Sequence, residues 1–104
     1  MNHRMSSIVM GLAAASLVFG TVAAQAYTGQ ELAGQAKISI AEARAIALKA
    51  HPGKIADEEL ERERGGSGLR YSFDIKRGSI TQEVGVDAQT GRVLENKEEG
   101  PHPD

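Results

Sequence analysis

Apolar and polar residues follow three different patterns along this chain, and each predicts a different kind of segment. An uncharged apolar run occupies residues 8–20, apolar residues recur at helical spacing over residues 40–50, and alternation dominates after residue 54. A period of about 3.6 residues is typical of an amphipathic helix, and a period of two is typical of a half-buried strand. The patterns therefore predict a leader, then one helix, then several strands.

The leader has the three-part layout of a secretory signal peptide. Arg4 supplies the positive charge before the apolar run, and Ala-Gln-Ala at residues 24–26 places small side chains where signal peptidase cuts. The run is too short to span a bilayer as a helix. An uncleaved anchor or a buried core helix would fit the run but leaves the cleavage sequence unexplained. We therefore expect residues 1–26 to be removed, and the absence of cysteine excludes a lipid anchor.

A helix is predicted over Ile40–Ala50. Ser39 and Glu42 have the spacing of a capping box, in which each side chain bonds the other residue's backbone N–H. Pro52 ends the helix because proline disfavours helical geometry in the residue before it. Residues 27–37, with two glycines and little apolar content, are predicted as a lead-in segment outside the core. The predicted apolar face of the helix consists of Ala43, Ile46, Ala47 and Ala50.

Four strands are predicted after the helix, near residues 55–63, 69–76, 80–86 and 92–96. The second has the clearest alternation, with an apolar face of Leu69, Tyr71, Phe73 and Ile75. In the first, Ala56 and Leu60 are predicted to point inward among many charges. One helix followed by a four-stranded antiparallel sheet gives an α+β fold of two layers, with the helix on one sheet face. The domain is expected over residues 38–96, and residues 97–104, without an apolar side chain, are expected to be a disordered tail.

Composition and motifs exclude several chemistries. Without cysteine there is no thiolate nucleophile, thiolate metal site or redox pair, and a mild acidic excess gives no footprint for nucleic acid or an anionic membrane. No serine elbow or phosphate loop is present. Asp87 is predicted to close a turn in which Gly91 is left-handed. We therefore predict no catalytic residue, no metal site and no cofactor.

The acidic run from Asp57 to Glu63 has two interpretations. A calcium site would need ligands at fixed odd positions with an intervening glycine, a pattern that the run lacks. We favour a solvated edge whose members divide between the two sheet faces and pair with Arg62, Arg64 and Arg70.

The candidate binding site is the polar face of the predicted sheet. An ordinary solvated face would have the same composition, but a protein partner is expected here or at the hairpin tips. Because an exposed edge strand can pair with a second copy, the sequence is compatible with either a monomer or a weak dimer. The candidate protein-binding residues are Arg70, Ser72, Asp74, Lys76, Thr81 and Glu83.

Several local motifs together resemble the PepSY domain. The most specific is the turn from Val86 to Val93, with the form VDAxTGxV, behind a strand of the form YxFxI. Glu58 departs from the family, which usually has an inward apolar residue there. The remaining matching elements are Ala43-x-x-x-Ala47, Pro52-Gly53 and Glu59-Leu60-Glu61.

The resemblance implies more than the residues alone indicate. PepSY domains look like half of the β-lactamase inhibitory protein fold, and they occur in propeptides of secreted metalloproteases and in regulators of cell-wall lytic enzymes. The family has no shared catalytic residue. The resemblance therefore implies a non-enzymatic periplasmic or secreted binding module that regulates or inhibits a secreted peptidase or cell-wall hydrolase. The alternative is an envelope sensor or scaffold that binds a small ligand or metal.

Overall fold

The chain forms one helix followed by four strands, preceded by a short 3-10 helix. A computed structural model describes residues 26–100. The four strands pair in the order β1-β2-β3-β4, and every neighbouring pair is antiparallel. The predicted α+β fold is confirmed. The elements are the 3-10 helix Gln30–Gln35, α1 Ile40–Ala50, β1 Lys54–Arg62, β2 Leu69–Arg77, β3 Ile80–Asp87 and β4 Val93–Glu98.

Two predicted segments fall partly or wholly outside this region. The predicted signal peptide, apart from Ala26, lies outside the described residues, and so do residues 101–104 of the predicted tail. Strand β4 continues through Glu98, two residues into the segment predicted as the tail.

Helix α1 begins at the predicted capping box. The Ser39 hydroxyl accepts a hydrogen bond from the Glu42 N–H at 3.1 Å, and the Glu42 carboxylate accepts one from the Ser39 N–H at 2.9 Å. Ala43 and Ala47 are completely buried against the sheet. Since alanine adds only a methyl group, the helix axis approaches the strands closely.

The core lies between α1 and the apolar face of the sheet. On β2, alternate residues from Leu69 to Ile75 are buried as the two-residue period predicted. The hydroxyl of Tyr71 donates to the carbonyl of Ile38 at 2.8 Å, so this large side chain is buried with its polar group bonded. The buried apolar residues are Ala43, Ala47, Leu60, Leu69, Tyr71, Phe73, Ile75, Val84, Val86 and Ala88.

A β-bulge changes which residues of β1 face the core. Ile55 pairs with Ile75, whereas the pairing resumes at Asp57, so Ala56 is the extra residue and is exposed. Ala56 was expected to point into the core, but it is exposed and Ile55 packs against the core in its place, because the bulge interrupts the alternation that the prediction assumed.

Glu58 lies on the helix side of the sheet, opposite Phe73. Its two carboxylate oxygens accept bonds from Nε and Nη2 of Arg44, both at 2.8 Å. This bidentate ion pair links α1 to β1 and explains how an acidic residue is accommodated where the resemblance implied an inward apolar one.

Residues 27–37, here called the strap, run along the outer edge of β1. The carbonyl of Thr28 accepts a bond from the Leu60 N–H at 2.8 Å, and the Tyr27 ring lies 6.5 Å from that of Tyr71. Three further strap residues, Leu32, Ala33 and Ala36, are partly buried and pack against the core. The segment predicted as a lead-in thus completes the layer over the sheet and covers part of the β1 edge.

Candidate functional site

The sheet face opposite α1 and the strap, here called the open face, carries the candidate site. Both covering elements pack on the apolar face, so no second layer covers the open face among residues 26–100. Strand pairing places on it Asp57, Glu59 and Glu61 from β1, Arg70, Ser72, Asp74 and Lys76 from β2, Thr81 and Glu83 from β3, and Glu95 and Lys97 from β4.

The sequence-predicted site residues all lie on the open face. Asp74 is paired directly with Glu83, and Lys76 with Thr81. Lys76 is exposed, and Ser72, Asp74, Thr81 and Glu83 are half-buried. These five side chains are therefore presented together to the surroundings.

Arg70 has a different role from the other predicted site residues, because it is only 6% exposed. Its Nη1 donates to Glu95 at 3.2 Å and its Nη2 to the carbonyl of Arg64 at 3.0 Å. The side chain lies over Gly85, where an added Cβ would come within 3.1 Å of Nη1. Arg70 thus joins β2, β4 and the loop after β1.

The acidic run of β1 was predicted to divide between the two sheet faces and to pair with Arg62, Arg64 and Arg70. The run does divide, but unevenly, and among the described residues the pairing is correct for Arg70 alone. Asp57, Glu59 and Glu61 all lie on the open face, and Glu58 alone turns to the other side. Of the three arginines, Arg70 comes within 3.9 Å of Glu63. Arg62 instead donates to the side chain of Gln35. The sequence did contain a signal for this arrangement. Asp57, Glu59, Glu61 and Glu63 occupy alternate positions, so they share one face of the strand. The register with β2 identifies that face as the open face.

These carboxylates line a shallow trough of about 320 Å³. Ser72 is the one lining residue that is not acidic, and its hydroxyl donates to Glu61 at 2.8 Å. The acidic lining residues are Asp57, Glu59, Glu61, Glu63, Asp74, Glu83 and Glu99.

Burial and mutual repulsion act on three of these carboxyl groups. Desolvation raises the pKa of Asp74, and the charges of Glu99 and Asp57 raise it further. Desolvation also raises the pKa of Glu83, with Glu95 and Asp74 as the next contributors. For Glu61, desolvation and then a hydrogen bond with Glu59 raise the pKa, against the opposing bond from Ser72. Negative charge is therefore unfavourable at the centre of the open face.

Neutralising the centre of the open face with Asp74→Asn and Glu83→Gln is expected to stabilise the fold by about 0.5–1 kcal/mol at neutral pH, since like charges directly opposite repel. Because both pKa values are raised, the folded state binds more protons than the unfolded state between the ordinary carboxyl pKa and the raised one. Wild-type stability therefore falls as pH rises through that window. The advantage of the variant appears in the same window and vanishes at about pH 3, where both proteins are neutral at these sites.

Urea denaturation at the two pH values measures this difference. The variant Glu31→Gln, Glu98→Gln removes the same charge from exposed positions off the open face and is the control. A stabilisation by Asp74→Asn and Glu83→Gln that persists unchanged at low pH would contradict the repulsion account.

Among residues 26–100, no group of three or more histidine, aspartate or glutamate side chains has the arrangement of a metal site. Within the same part of the chain, no helix has the length and apolar character needed to cross a membrane.

Comparison with known protein families matches residues 37–97 to the PepSY model, described as "Peptidase propeptide and YPEB domain". Neither the curated proteins nor the solved structures include a match to the chain. The matched residues include α1, the first three strands, β4 as far as Lys97 and every residue of the open face, whereas Glu99 of the trough lies outside the match. PepSY domains are typically non-catalytic, propeptide-like modules, and they occur in exported proteins. More than half of the chain is matched, and the helix and four-stranded sheet agree with the arrangement that the resemblance implied, so the chain belongs to the PepSY family.

Proposed function

We propose that this protein is an exported, non-catalytic binding module that holds and restrains a secreted peptidase or a cell-wall hydrolase through its open face. The observation that carries the proposal is the family match across the whole sheet and helix, since PepSY domains are peptidase-related binding modules. The signal-peptide pattern of residues 1–26 supports an extracytoplasmic, and in a bacterium with two membranes periplasmic, location.

The open face is the surface best placed for the partner. A two-layer fold needs its second layer on one sheet face only, so the other face is available for contact. Its two central strands carry half-buried polar side chains, Ser72 in the middle of β2 and Thr81 beside the hairpin between β2 and β3. Both strands have bonded neighbours on both sides. Such a surface changes little on binding, which limits the entropy cost of association.

A capture experiment with a steric block tests this proposal. The protein, purified after export from an expressing host, is immobilised and exposed to the secreted and envelope fractions. The double variant Ser72→Tyr, Thr81→Tyr adds bulk on the two central strands of the open face without changing charge. The control Ala45→Tyr adds the same side chain at an exposed position of α1.

We expect wild type and Ala45→Tyr to retain a peptidase or wall hydrolase that the double variant does not retain. Capture of the hydrolase by all three proteins would refute the open face as the site. Capture of no hydrolase by the wild type would refute the proposed function itself.

A further inference from the structure

The outer edge of β4 is not covered by any other element in the described part of the chain. Among residues 26–100, β4 is contacted by β3 and α1 alone. The opposite edge of the sheet, on β1, is interrupted by the bulge at Ala56 and partly covered by the strap, which are two ways of protecting an edge from pairing. The register of β4 shifts once, at Leu94, and residues 95–98 then continue regularly. These four residues form an edge to which a further strand can be added.

The pairing with β3 determines which backbone groups of β4 point outward. The N–H of Glu99 donates to the carbonyl of Thr81 at 2.9 Å, so this residue directs its backbone toward β3. Alternate residues of an antiparallel strand bond to the same side, so Lys97 also bonds to β3. Asn96 and Glu98 therefore direct their N–H and C=O groups to the outside, where an added strand would bond them.

The charge pattern of β4 is complementary to itself. Two identical strands related by a two-fold axis pair antiparallel, and two-fold dimers are the commonest homo-oligomers. When the axis passes through Asn96, Glu95 of each copy lies directly opposite Lys97 of the other. Opposite charges in directly opposed positions stabilise a sheet. The side chain of Lys97 is 69% exposed, so it is accessible to a second copy.

Other two-fold registers of β4 lack this complementarity. Both residues of a directly opposed pair must bond to the same side, so the axis passes through a residue and not between two. An axis at Glu95, Lys97 or Glu98 would place two identical charges opposite each other. An axis at Leu94 would fall on the register shift. The charge pattern therefore favours Asn96, an uncharged residue, as the centre.

The edge of β1 has the opposite character. Asp57, Glu58 and Glu59 are consecutive, and an axis through Glu58 would oppose this residue to itself and each Asp57 to Glu59 of the second copy. Like charges in directly opposed positions destabilise a sheet. A second copy is therefore repelled at β1 and matched at β4.

We infer that two copies of the protein associate through β4, antiparallel about Asn96, into one continuous sheet with four strands from each copy. Directly opposed residues share a sheet face, so both α1 helices lie on one side of the dimer and both open faces on the other. The dimer doubles the extent of the open face and does not depend on the class of partner proposed above. One short strand from each copy makes a small contact, so the association is weak and concentration-dependent.

A proline at the centre of the edge tests the pairing. Asn96→Pro removes an outward N–H that takes no part in the pairing with β3, and proline is tolerated on edge strands. Asn96→Ala keeps the N–H and is the control. Sedimentation velocity of the purified exported protein is measured from micromolar to millimolar concentration, and urea denaturation shows that each variant is folded.

We expect wild type and Asn96→Ala to change from monomer to dimer over this range. The dissociation constant of the dimer should be at least about tenfold higher for Asn96→Pro, because the two bonds exchanged at the centre are lost. A wild type that stays monomeric at millimolar concentration would overturn the inference, and so would undiminished association of folded Asn96→Pro.

Single cysteines test the register without depending on the proline variant. The chain has no cysteine, so Asn96→Cys and Glu98→Cys each introduce one thiol at an exposed edge position. In the inferred dimer the two Cα atoms at position 96 lie about 5.5 Å apart, within the span of a disulfide. Those at position 98 lie roughly 14 Å apart, since four residues of strand separate them.

Oxidised glutathione is the oxidant, and the disulfide-linked dimer is measured by non-reducing electrophoresis. We expect the dimer to form at least about tenfold faster with Asn96→Cys than with Glu98→Cys, because only the former meets the distance that a disulfide requires. Equal rates would indicate random collision, and a faster rate at position 98 would indicate another register. Either result would overturn the inferred dimer.

Discussion

Replacing Asp87 with alanine is expected to lower the free energy of unfolding by about 3 kcal/mol, because four hydrogen bonds to a buried carboxylate are lost at once. The residue is 1% exposed. Its carboxylate accepts bonds from the backbone N–H groups of Ser67 at 2.7 Å, Gln89 at 2.8 Å and Thr90 at 3.2 Å. The Ser67 hydroxyl adds a bond at 2.8 Å. Asp87 therefore joins the loop between β1 and β2 to the turn between β3 and β4.

The pH dependence of this contribution has a definite sign. Burial acts to raise the pKa of Asp87, but the hydrogen bonds from Ser67, Gln89 and Thr90 outweigh it, and the pKa is lowered from 3.8. A carboxyl group with a lowered pKa stabilises the folded state above its ordinary pKa, and this stabilisation is lost as pH falls through the lowered value. The deficit of Asp87→Ala relative to wild type should therefore shrink only in strong acid.

Urea denaturation of Asp87→Ala and Asp74→Ala checks this prediction. Each variant removes one aspartate, from β3 and β2 respectively. Asp74, however, lies beside other carboxylates rather than backbone donors. We expect a large loss for Asp87→Ala alone. Similar losses in the two variants, or a loss below about 1 kcal/mol for Asp87→Ala, would contradict the assigned role, since a single neutral hydrogen bond contributes that much.

Replacing Gly29 with alanine is expected to detach the strap and to cost about 2 kcal/mol or more, beyond the usual effect of a glycine substitution. The backbone of Gly29 is left-handed, with φ of 85°, and an added Cβ would lie 1.8 Å from the carbonyl oxygen of Leu60. The clash is with the main chain of Leu60, so no side-chain rotation can relieve it, and the strap has to move away from β1. The bond from the Leu60 N–H to Thr28 would be lost with it.

Gly34 provides a matched control for Gly29. It lies in the same strap, its φ is not positive, and nothing lies within 4 Å of an added Cβ. Hydrogen exchange at the Leu60 amide, combined with urea denaturation, distinguishes the two variants. We expect faster exchange and lower stability for Gly29→Ala, and near wild-type behaviour for Gly34→Ala. Retained protection of Leu60 in Gly29→Ala would mean that the strap tolerates the side chain.

Local signals were sufficient to predict the main elements of the fold. Ser39 and Glu42 set the start of α1, and the alternation from Leu69 to Ile75 set the buried face of β2, because both depend on contacts between near neighbours in sequence. The turn at Asp87 was also predicted, with Gly91 left-handed at φ of 81°. Its bonds to Ser67, twenty residues earlier, depend on the register of the sheet and had no local signal.

The features that sequence reasoning missed depend on long-range pairing. The bulge at Ala56 reverses the faces of β1 at its start, and no residue type nearby requires it. The strap was missed because its few apolar residues have no period, although Leu32 and Ala36 do pack against the core.

The candidate site was predicted in part. Ser72, Asp74, Lys76, Thr81 and Glu83 lie together as the alternation of β2 and β3 required, whereas the burial of Arg70 depends on Gly85 and Glu95 from neighbouring strands. The acidic row across three strands becomes visible only when the registers of β1, β2 and β3 are combined.

The central claim, that the open face restrains a hydrolase, is tested most directly by titrating the hydrolase activity of the secreted and envelope fractions with the purified protein. The account predicts a dose-dependent fall in peptidase or wall-hydrolase activity with wild type and with Ala45→Tyr, and little effect of Ser72→Tyr, Thr81→Tyr. Activity that stays unchanged at a large excess of wild type, or that falls equally with the face variant, would contradict it.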